Sequence, residues 1–343
     1  CHSLVGSEMC IRDSYKIYGY KRSLGFYKRE WTILMLSSLF FLILGSLGLY
    51  FGSEFLIDGA KSLAKKLKVS DLVIGLTIVS IGTSFPELVV GLISAFQGYT
   101  DFVIGNVLGS NIANIGLAIG LPALFFKIDF DLKNSIAPFI YNLLACLMLY
   151  IFLQDNIINS KEAQGLLLVF FVYIIASFLR PNITSCNGEL ENENVCPAYQ
   201  SVLRIIAGST ILYYGSVLFV DNGAIPLVEQ FGFSEKAIGM TVVAIGTSLP
   251  ELFVTLMALS KREVGISLGN IIGSNIFNIL FVLSTIALVT PIETTNVNFE
   301  LFLGVGFLLS LMFFIYLHKG LNKITASVLF IGYITFLYLQ FYG

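Results

Sequence analysis

The sequence predicts an all-α membrane protein of ten transmembrane helices, arranged as two inverted five-helix repeats. Three observations predict it: a shortage of charge, ten apolar runs, and a motif pair that recurs at one fixed offset. Of 343 residues, 56% are hydrophobic and only 12% charged, about half the charged share of a soluble domain. Mean hydropathy is +0.84, so most of the chain faces something other than water. The formal net charge of −2 does not point to nucleic acid as a partner.

A helix needs roughly 20 apolar residues to cross the hydrocarbon. Apolar runs bounded by polar clusters fall at about 35–60, 72–97, 102–125, 135–154, 163–180, 201–221, 236–260, 265–289, 299–317 and 324–341. They lack the alternation of strands, which favours helices over a barrel. The longest polar interruption, 181–199, is rich in Asn and Glu and divides the runs five and five. Expected domains are a first repeat over 35–180, a cytoplasmic loop over 181–200 and a second repeat over 201–343. Cys146 falls in a helix, and Cys186 and Cys196 in the loop, where free thiols are expected.

Residues 4–14 read LVGSEMCIRDS, resembling the one-frame translation of a transposon-type sequencing adapter. Residues 1–34 are therefore expected to be adapter and upstream artefact, with Met35 as the candidate start. Loop charge agrees. After residue 34, one side carries Lys61, Lys65, Lys66, Lys68, Lys127, Lys133, Arg180, Arg204, Lys261, Arg262, Lys319 and Lys323. The other carries only Lys161 and Lys236. Cytoplasmic loops collect Lys and Arg, which predicts both termini outside, in the inner (plasma) membrane. Six basic residues before Met35 would sit on the wrong side.

Residues 75–88, GLTIVSIGTSFPEL, match 239–252, GMTVVAIGTSLPEL, at ten of fourteen positions. Residues 105–114, GNVLGSNIAN, match 269–278, GNIIGSNIFN, at seven of ten, again 164 residues apart. YFGSEFLID at 50–58 echoes YYGSVLFVD at 213–221. Five is odd, so the second copy enters the membrane upside down, as in transporters that hold their substrate at the midplane between copies.

Glu87 and Glu251 lie near the centres of their helices, where an acid is costly. Two carboxylates supply up to four oxygens for a hard divalent cation such as Ca²⁺. Pro86 and Pro250 break the helical ladder and are expected to free carbonyls around Ser80 to Thr83 and Ala244 to Thr247. Thr83, Ser84, Thr247 and Ser248 add hydroxyls. Ser110 with Asn114, and Ser274 with Asn278, share a helix face at i, i+4. Oxygen ligands without nearby His or Cys favour Na⁺ or Ca²⁺ over softer metals. Asn106, Asn111, Asn270 and Asn275 read as interhelical glue, and Glu54, Asp58 and Asp221 as structural groups near water or neighbouring backbone. The glycines, Gly75, Gly82, Gly105 and Gly109 with their copies, read as packing residues. No enzyme motif and no cofactor motif is present.

GTSFPEL with GSNIAN, and GTSLPEL with GSNIFN, resemble the two α-repeats of the calcium/cation antiporter superfamily, nearest its prokaryotic sodium/calcium exchanger-like branch. The likeness covers 35–343. It implies that Glu87 and Glu251 bind Ca²⁺. It also implies that the Thr, Ser and Asn positions, with carbonyls at Ser80 and Ala244, complete flanking Na⁺ sites. Asn278 stands where some members carry Asp, which removes an acidic charge. The expected function is Ca²⁺ exchange for Na⁺ by alternating access, with Ca²⁺ and Na⁺ as substrates and the lipid bilayer as surroundings. Ca²⁺/H⁺ antiport and a cation channel are the alternatives.

Overall fold

The computed structural model describes residues 5–129, 132–179, 197–230, 244–294 and 320–342, with side chains described for 34–129, 136–179, 197–227, 245–294 and 320–338. The predicted helix at 299–317, residues 236–243 of the seventh predicted helix, and the loop with Cys186 and Cys196 lie outside them. The chain runs α1 (Val5–Leu67), α2 (Asp71–Thr83), α3 (Phe85–Phe96), α4 (Thr100–Leu124), α5 (Leu132–Phe152), α6 (Ser160–Leu179) and α7 (Ala198–Leu227). It continues as α8 (Ala244–Thr247 and Leu249–Ser260, joined at Ser248), α9 (Val264–Val289) and α10 (Lys323–Tyr342). Among the described residues six helices are long and apolar enough to cross a membrane, or seven if the bent pair α2 and α3 is one span.

Burial sorts these helices into two shells. The spans of α4 and α9 are 83% buried inside the protein, whereas that of α1 is 17% buried. The outward face of α1 carries Leu36, Phe40, Ile43, Leu47 and Phe51, all exposed. Apolar faces of that extent on the outer helices match a hydrocarbon surround. The protein is therefore mostly helical and membrane-embedded.

Helix α1 extends past the expected end at residue 60. Lys65 and Lys66 occupy its last turn, where cations complement the exposed carbonyls, and Lys68 turns the chain with a positive φ of 54°. Upstream, α1 begins at Val5 rather than at residue 35. Asp58, expected to meet water or backbone, instead accepts from Lys261 Nζ at 2.6 Å. Lys61 pairs with Glu263 at 2.6 Å. These pairs tie the end of α1 to the hairpin between α8 and α9.

Two hairpins are built alike. After α3, Gln97, Gly98 and Tyr99 donate to Ile93, Ala95 and Ser94 carbonyls. After α8, Lys261, Arg262 and Glu263 donate to Met257, Leu259 and Ala258 carbonyls, each partner 164 residues on. Both turns need a left-handed residue, Gly98 at φ 84° and Arg262 at φ 62°; only the first uses the residue that adopts it without strain.

Short strands couple the ends of the molecule. β1 (Ile128–Asp129) pairs antiparallel with β4 (Gly320–Leu321), and β2 (Ile157–Ile158) with β3 (Ile292–Glu293). Thr294 N–H donates to the Asn156 carbonyl beside the second pair.

Lipid supplies no hydrophobic drive between helices, so contact depends on close van der Waals approach through small residues. Helices α1 and α7 meet this way: a Cβ on Gly208 would fall 2.5 Å from Leu56 N, and one on Gly52 2.8 Å from Leu212 N. Gly269 and Gly273 of α9 do the same against α2, where a Cβ would fall 2.5 Å from the Leu72 and Leu76 carbonyls respectively. Gly208→Val is expected to lower the thermal unfolding temperature in detergent sharply, because overpacking costs about 1–3 kcal/mol or more. Gly332→Ala, with no atom of the described residues within 4 Å of its Cβ position, should leave that temperature unchanged.

Candidate ion-binding site

The motif residues converge where α2, α3 and α8 meet α4 and α9. The bend between α2 and α3 is 42°. Pro86 sits in the first turn of α3, where its missing N–H costs nothing, and Glu87 follows it. Pro250 and Glu251 repeat this after Ser248. Glu87, Glu251, Thr83, Ser84, Ser248, Ser110, Ser274, Asn114 and Asn278 are fully buried, and Ser80 and Thr247 nearly so.

The Ser84 hydroxyl donates to Glu251 Oε1 at 2.8 Å, and Ser274 Oγ lies 3.3 Å from the same oxygen. Thr83 Oγ1 lies 3.0 Å from Asn270 Oδ1 and 3.3 Å from Ser274 Oγ. Its counterpart Thr247 lies 3.2 Å from Ser110 Oγ. All of these except the Ser274–Glu251 contact join a motif of one copy to a motif of the other. Ser110 and Thr247 face the Glu87 carboxylate without reaching hydrogen-bond geometry.

Acceptor oxygens remain over. Both oxygens of Glu87, Glu251 Oε2, Asn114 Oδ1, Asn278 Oδ1 and Ser248 Oγ are buried with no hydrogen-bond partner among the described residues. A carboxylate buried without donors is among the costliest arrangements in a protein. A hard cation coordinated by those oxygens removes that cost, so the donor set fits Ca²⁺ or Na⁺ as cargo.

Four asparagines aim two of these oxygens. Asn114 Nδ2 donates to Asn275 Oδ1 at 3.0 Å, and Asn278 Nδ2 donates to Asn111 Oδ1 at 3.2 Å. Asn111 and Asn275 also donate to each other's backbone carbonyls, at 3.2 and 3.5 Å. With their nitrogens held, Asn114 and Asn278 are left with their oxygens free. Each begins a π-helical turn, Asn114–Ile119 and Asn278–Val282, a geometry frequent at functional sites. Nothing in the motif spacing announced those turns.

Some candidates fall elsewhere than expected. The Ser80 carbonyl is not released by the proline: it accepts from Ser84 N–H at 3.0 Å and lies 3.2 Å from Thr83 Oγ1. In the second copy Ser248 N–H donates instead to Ile245 O, three residues back, and Ala244 opens the short helix Ala244–Thr247. Asn270 does act as glue between helices, bridging Thr83 of α2 and the Glu251 carbonyl of α8. Asn106, also read as glue, is buried with neither amide atom partnered among the described residues. Spacing placed both asparagines on the motif face, but only the packing distinguishes their roles.

Comparison with known proteins matches this arrangement. The family model described as sodium/calcium exchanger protein matches residues 37–179 and again 200–342. This chain belongs to the sodium/calcium exchanger protein family. The putative antiporter CaxA of Alkalimonas amylolytica is 34% identical, covering 90% of this chain and 99% of that protein. The sodium/calcium exchanger MaX1 of Methanosarcina acetivorans is 29% identical, over 88% and 97% respectively. The sodium-calcium exchanger NCX_Mj, soaked with 100 mM Na⁺ and 10 mM Sr²⁺, superposes with TM-score 0.74 at 29% identity, covering 88% of this chain and 97% of that one. The exchanger is thus a multi-pass membrane cation antiporter of the prokaryotic branch of the calcium/cation antiporter superfamily.

Asn111→Ala is expected to destabilise this exchanger by about 1–3 kcal/mol, because it leaves the Asn278 amide without its acceptor and the Asn275 backbone carbonyl without its side-chain donor in a buried setting. Thermal unfolding in detergent reads this directly.

Proposed function

We propose that this exchanger moves Ca²⁺ against Na⁺ by alternating access, with Glu87 and Glu251 as the Ca²⁺ ligands. The observation that carries the reading is the set of buried acceptor oxygens without a partner among the described residues, led by both oxygens of Glu87 and one of Glu251. Thr83, Ser84, Ser110 and Asn114, with Thr247, Ser248, Ser274 and Asn278, supply the oxygens for Na⁺. The Ser80 and Ala244 carbonyls complete those sites, the Ser80 oxygen through a lone pair beyond the one its Ser84 N–H contact uses. MaX1 and NCX_Mj are sodium/calcium exchangers by name, which supports Na⁺ as the coupling ion.

The chain crosses the inner membrane ten times as two inverted copies, 35–180 and 201–343, joined by a cytoplasmic loop at 181–200, with both termini outside. The strand pairs support the inversion. β1 and β3 are equivalent by the 164-residue offset, yet β1 pairs with β4 near Lys127 and Lys323 while β3 pairs with β2 at the opposite end. The ion pairs Lys61 with Glu263 and Lys261 with Asp58 join loops of the basic side. Thr100 Oγ1 donates to the Glu293 carbonyl on the other.

Glu87→Gln or Glu251→Gln is expected to abolish ⁴⁵Ca²⁺ exchange in liposomes while leaving the unfolding temperature at or above wild type. Each variant removes a charge that water cannot replace at that depth. Near-normal flux in either variant removes that residue from the ligand set.

Two carboxylates give a site charge near −2, which one Ca²⁺ neutralises and three Na⁺ exceed by one. An outward Na⁺ gradient should therefore drive ⁴⁵Ca²⁺ uptake. Three Na⁺ leaving per Ca²⁺ entering carries positive charge out, so uptake should be faster at inside-positive potential, at roughly 2.3 kcal/mol per charge per 100 mV. Uptake that ignores Na⁺ and follows a pH gradient assigns the exchange to Ca²⁺/H⁺ instead, since two protons also neutralise two glutamates.

A further inference from the structure

The two halves of the site are not equivalent one helical turn away from the glutamates. On α8, Thr255 follows Glu251 by four residues and shares its face. On α9, Ser267, Asn270 and Ser274 share another. Asn270 donates to the Glu251 carbonyl at 3.4 Å, so Thr255 and Ser267 sit at one level, one turn nearer the hairpin at Lys261–Glu263. Both are 0% exposed, and neither hydroxyl has a hydrogen-bond partner among the described residues.

Hydroxyls inside membrane helices ordinarily bond the carbonyl one turn back. Thr77, Ser177 and Ser284 do so here, to Val73, Tyr173 and Leu280. Thr255 does not, and the carbonyl it would use, that of Glu251, is taken by Asn270. Two buried hydroxyls, one helical turn from Glu251 and Asn270, are thus left without a partner among the described residues.

The equivalent positions in the first copy, 164 residues earlier, are Gly91 and Val103. There the space is filled by hydrocarbon: a Cβ on Gly91 would fall 2.5 Å from Ile286 Cδ1 and 4.0 Å from Val103 Cγ1. Ile286 and Val103 are both 0% exposed. One turn beyond the glutamate, the first copy is apolar and filled, whereas the second carries two hydroxyls.

We propose that Thr255 and Ser267 form an accessory subsite for a partly hydrated transported cation, on the path between Glu251 and the Lys261–Arg262 face only. This rests on the reading of Glu251 as a central ligand. A cation leaving Glu251 toward that face exchanges carboxylate oxygen for these hydroxyls and their water before reaching bulk solvent. A cation leaving toward the other face has no such step. The two directions of exchange therefore differ in apparent affinity although the central ligands are shared.

The test uses Ca²⁺ itself, as ⁴⁵Ca²⁺/Ca²⁺ exchange in membrane vesicles of both orientations, so that no coupling ion is involved. Thiol labelling of Arg262→Cys, an exposed position, identifies the titrated face. In Thr255→Val and Ser267→Ala the half-saturating Ca²⁺ concentration should rise about threefold to tenfold at the Lys261–Arg262 face, the size of one lost hydrogen-bonding oxygen. It should stay at the wild-type value at the other face, and Thr255→Ser should restore wild-type behaviour. No shift, or an equal shift at both faces, overturns the subsite. So does a lowered unfolding temperature, because hydroxyls that hold no protein group should be dispensable to the fold. Glu251→Gln separates the two claims. If it still exchanges Ca²⁺, the central-site reading fails and the subsite with it. If it is silent while both hydroxyl variants match wild type, only the subsite fails.

Discussion

A carboxylate at mid-membrane depth has no water to solvate it, and the protein must either donate hydrogen bonds to it or hold a cation against it. The exchanger does little of the first. Glu251 receives hydroxyls on one oxygen, while both oxygens of Glu87 lack partners among the described residues. The surrounding side chains are arranged to present further oxygens rather than to satisfy the acids. This constraint explains why α4 and α9, which carry half of the motif residues, are the most buried of the described long spans, since only a protein-lined interior tolerates such groups.

Close backbone contact is the second requirement, because the oxygens must converge from several helices. Glycine provides it twice over. Gly269 and Gly273 bring α9 against α2, and Gly208 with Gly52 brings α7 against α1. The hydroxyls of Thr83 and Ser274 meet across the first of these contacts. A β-carbon at those glycines would separate the helices and pull the converging oxygens apart, so helix packing and the placement of those oxygens depend on the same contacts. The asparagine quartet then fixes the orientation of two amides that would otherwise be free to turn.

The duplicated sequence does not produce a symmetric site. Ser84 bonds Glu251, but its counterpart Ser248 is left without a partner among the described residues. Ser84 N–H reaches back four residues and Ser248 N–H three. These differences arise because each copy packs against different neighbours, so equivalent residues meet inequivalent surroundings. For an antiporter that must open to two different solutions, such divergence allows each face its own energetics.

Much of the exchanger was legible in its residues alone. Charge shortage and apolar runs determined a membrane protein. The offset of 164 determined that the motif pair occurs twice, and proline beside a central glutamate determined where the helix breaks. Those signals are local or periodic, so they survive in a linear reading. The pairing of Lys261 with Asp58, the cross-copy strands, the π-helical turns at Asn114 and Asn278 and the engagement of the Ser80 carbonyl were decided by tertiary structure. Each depends on which atoms of distant segments fall within 3 Å or so of one another. The distinction between Asn106 and Asn270 is of the same kind: identical residues in identical motifs, separated only by whether a neighbour offers a donor or acceptor. Sequence determines which polar groups are carried into the membrane, and packing decides which of them are left free for an ion.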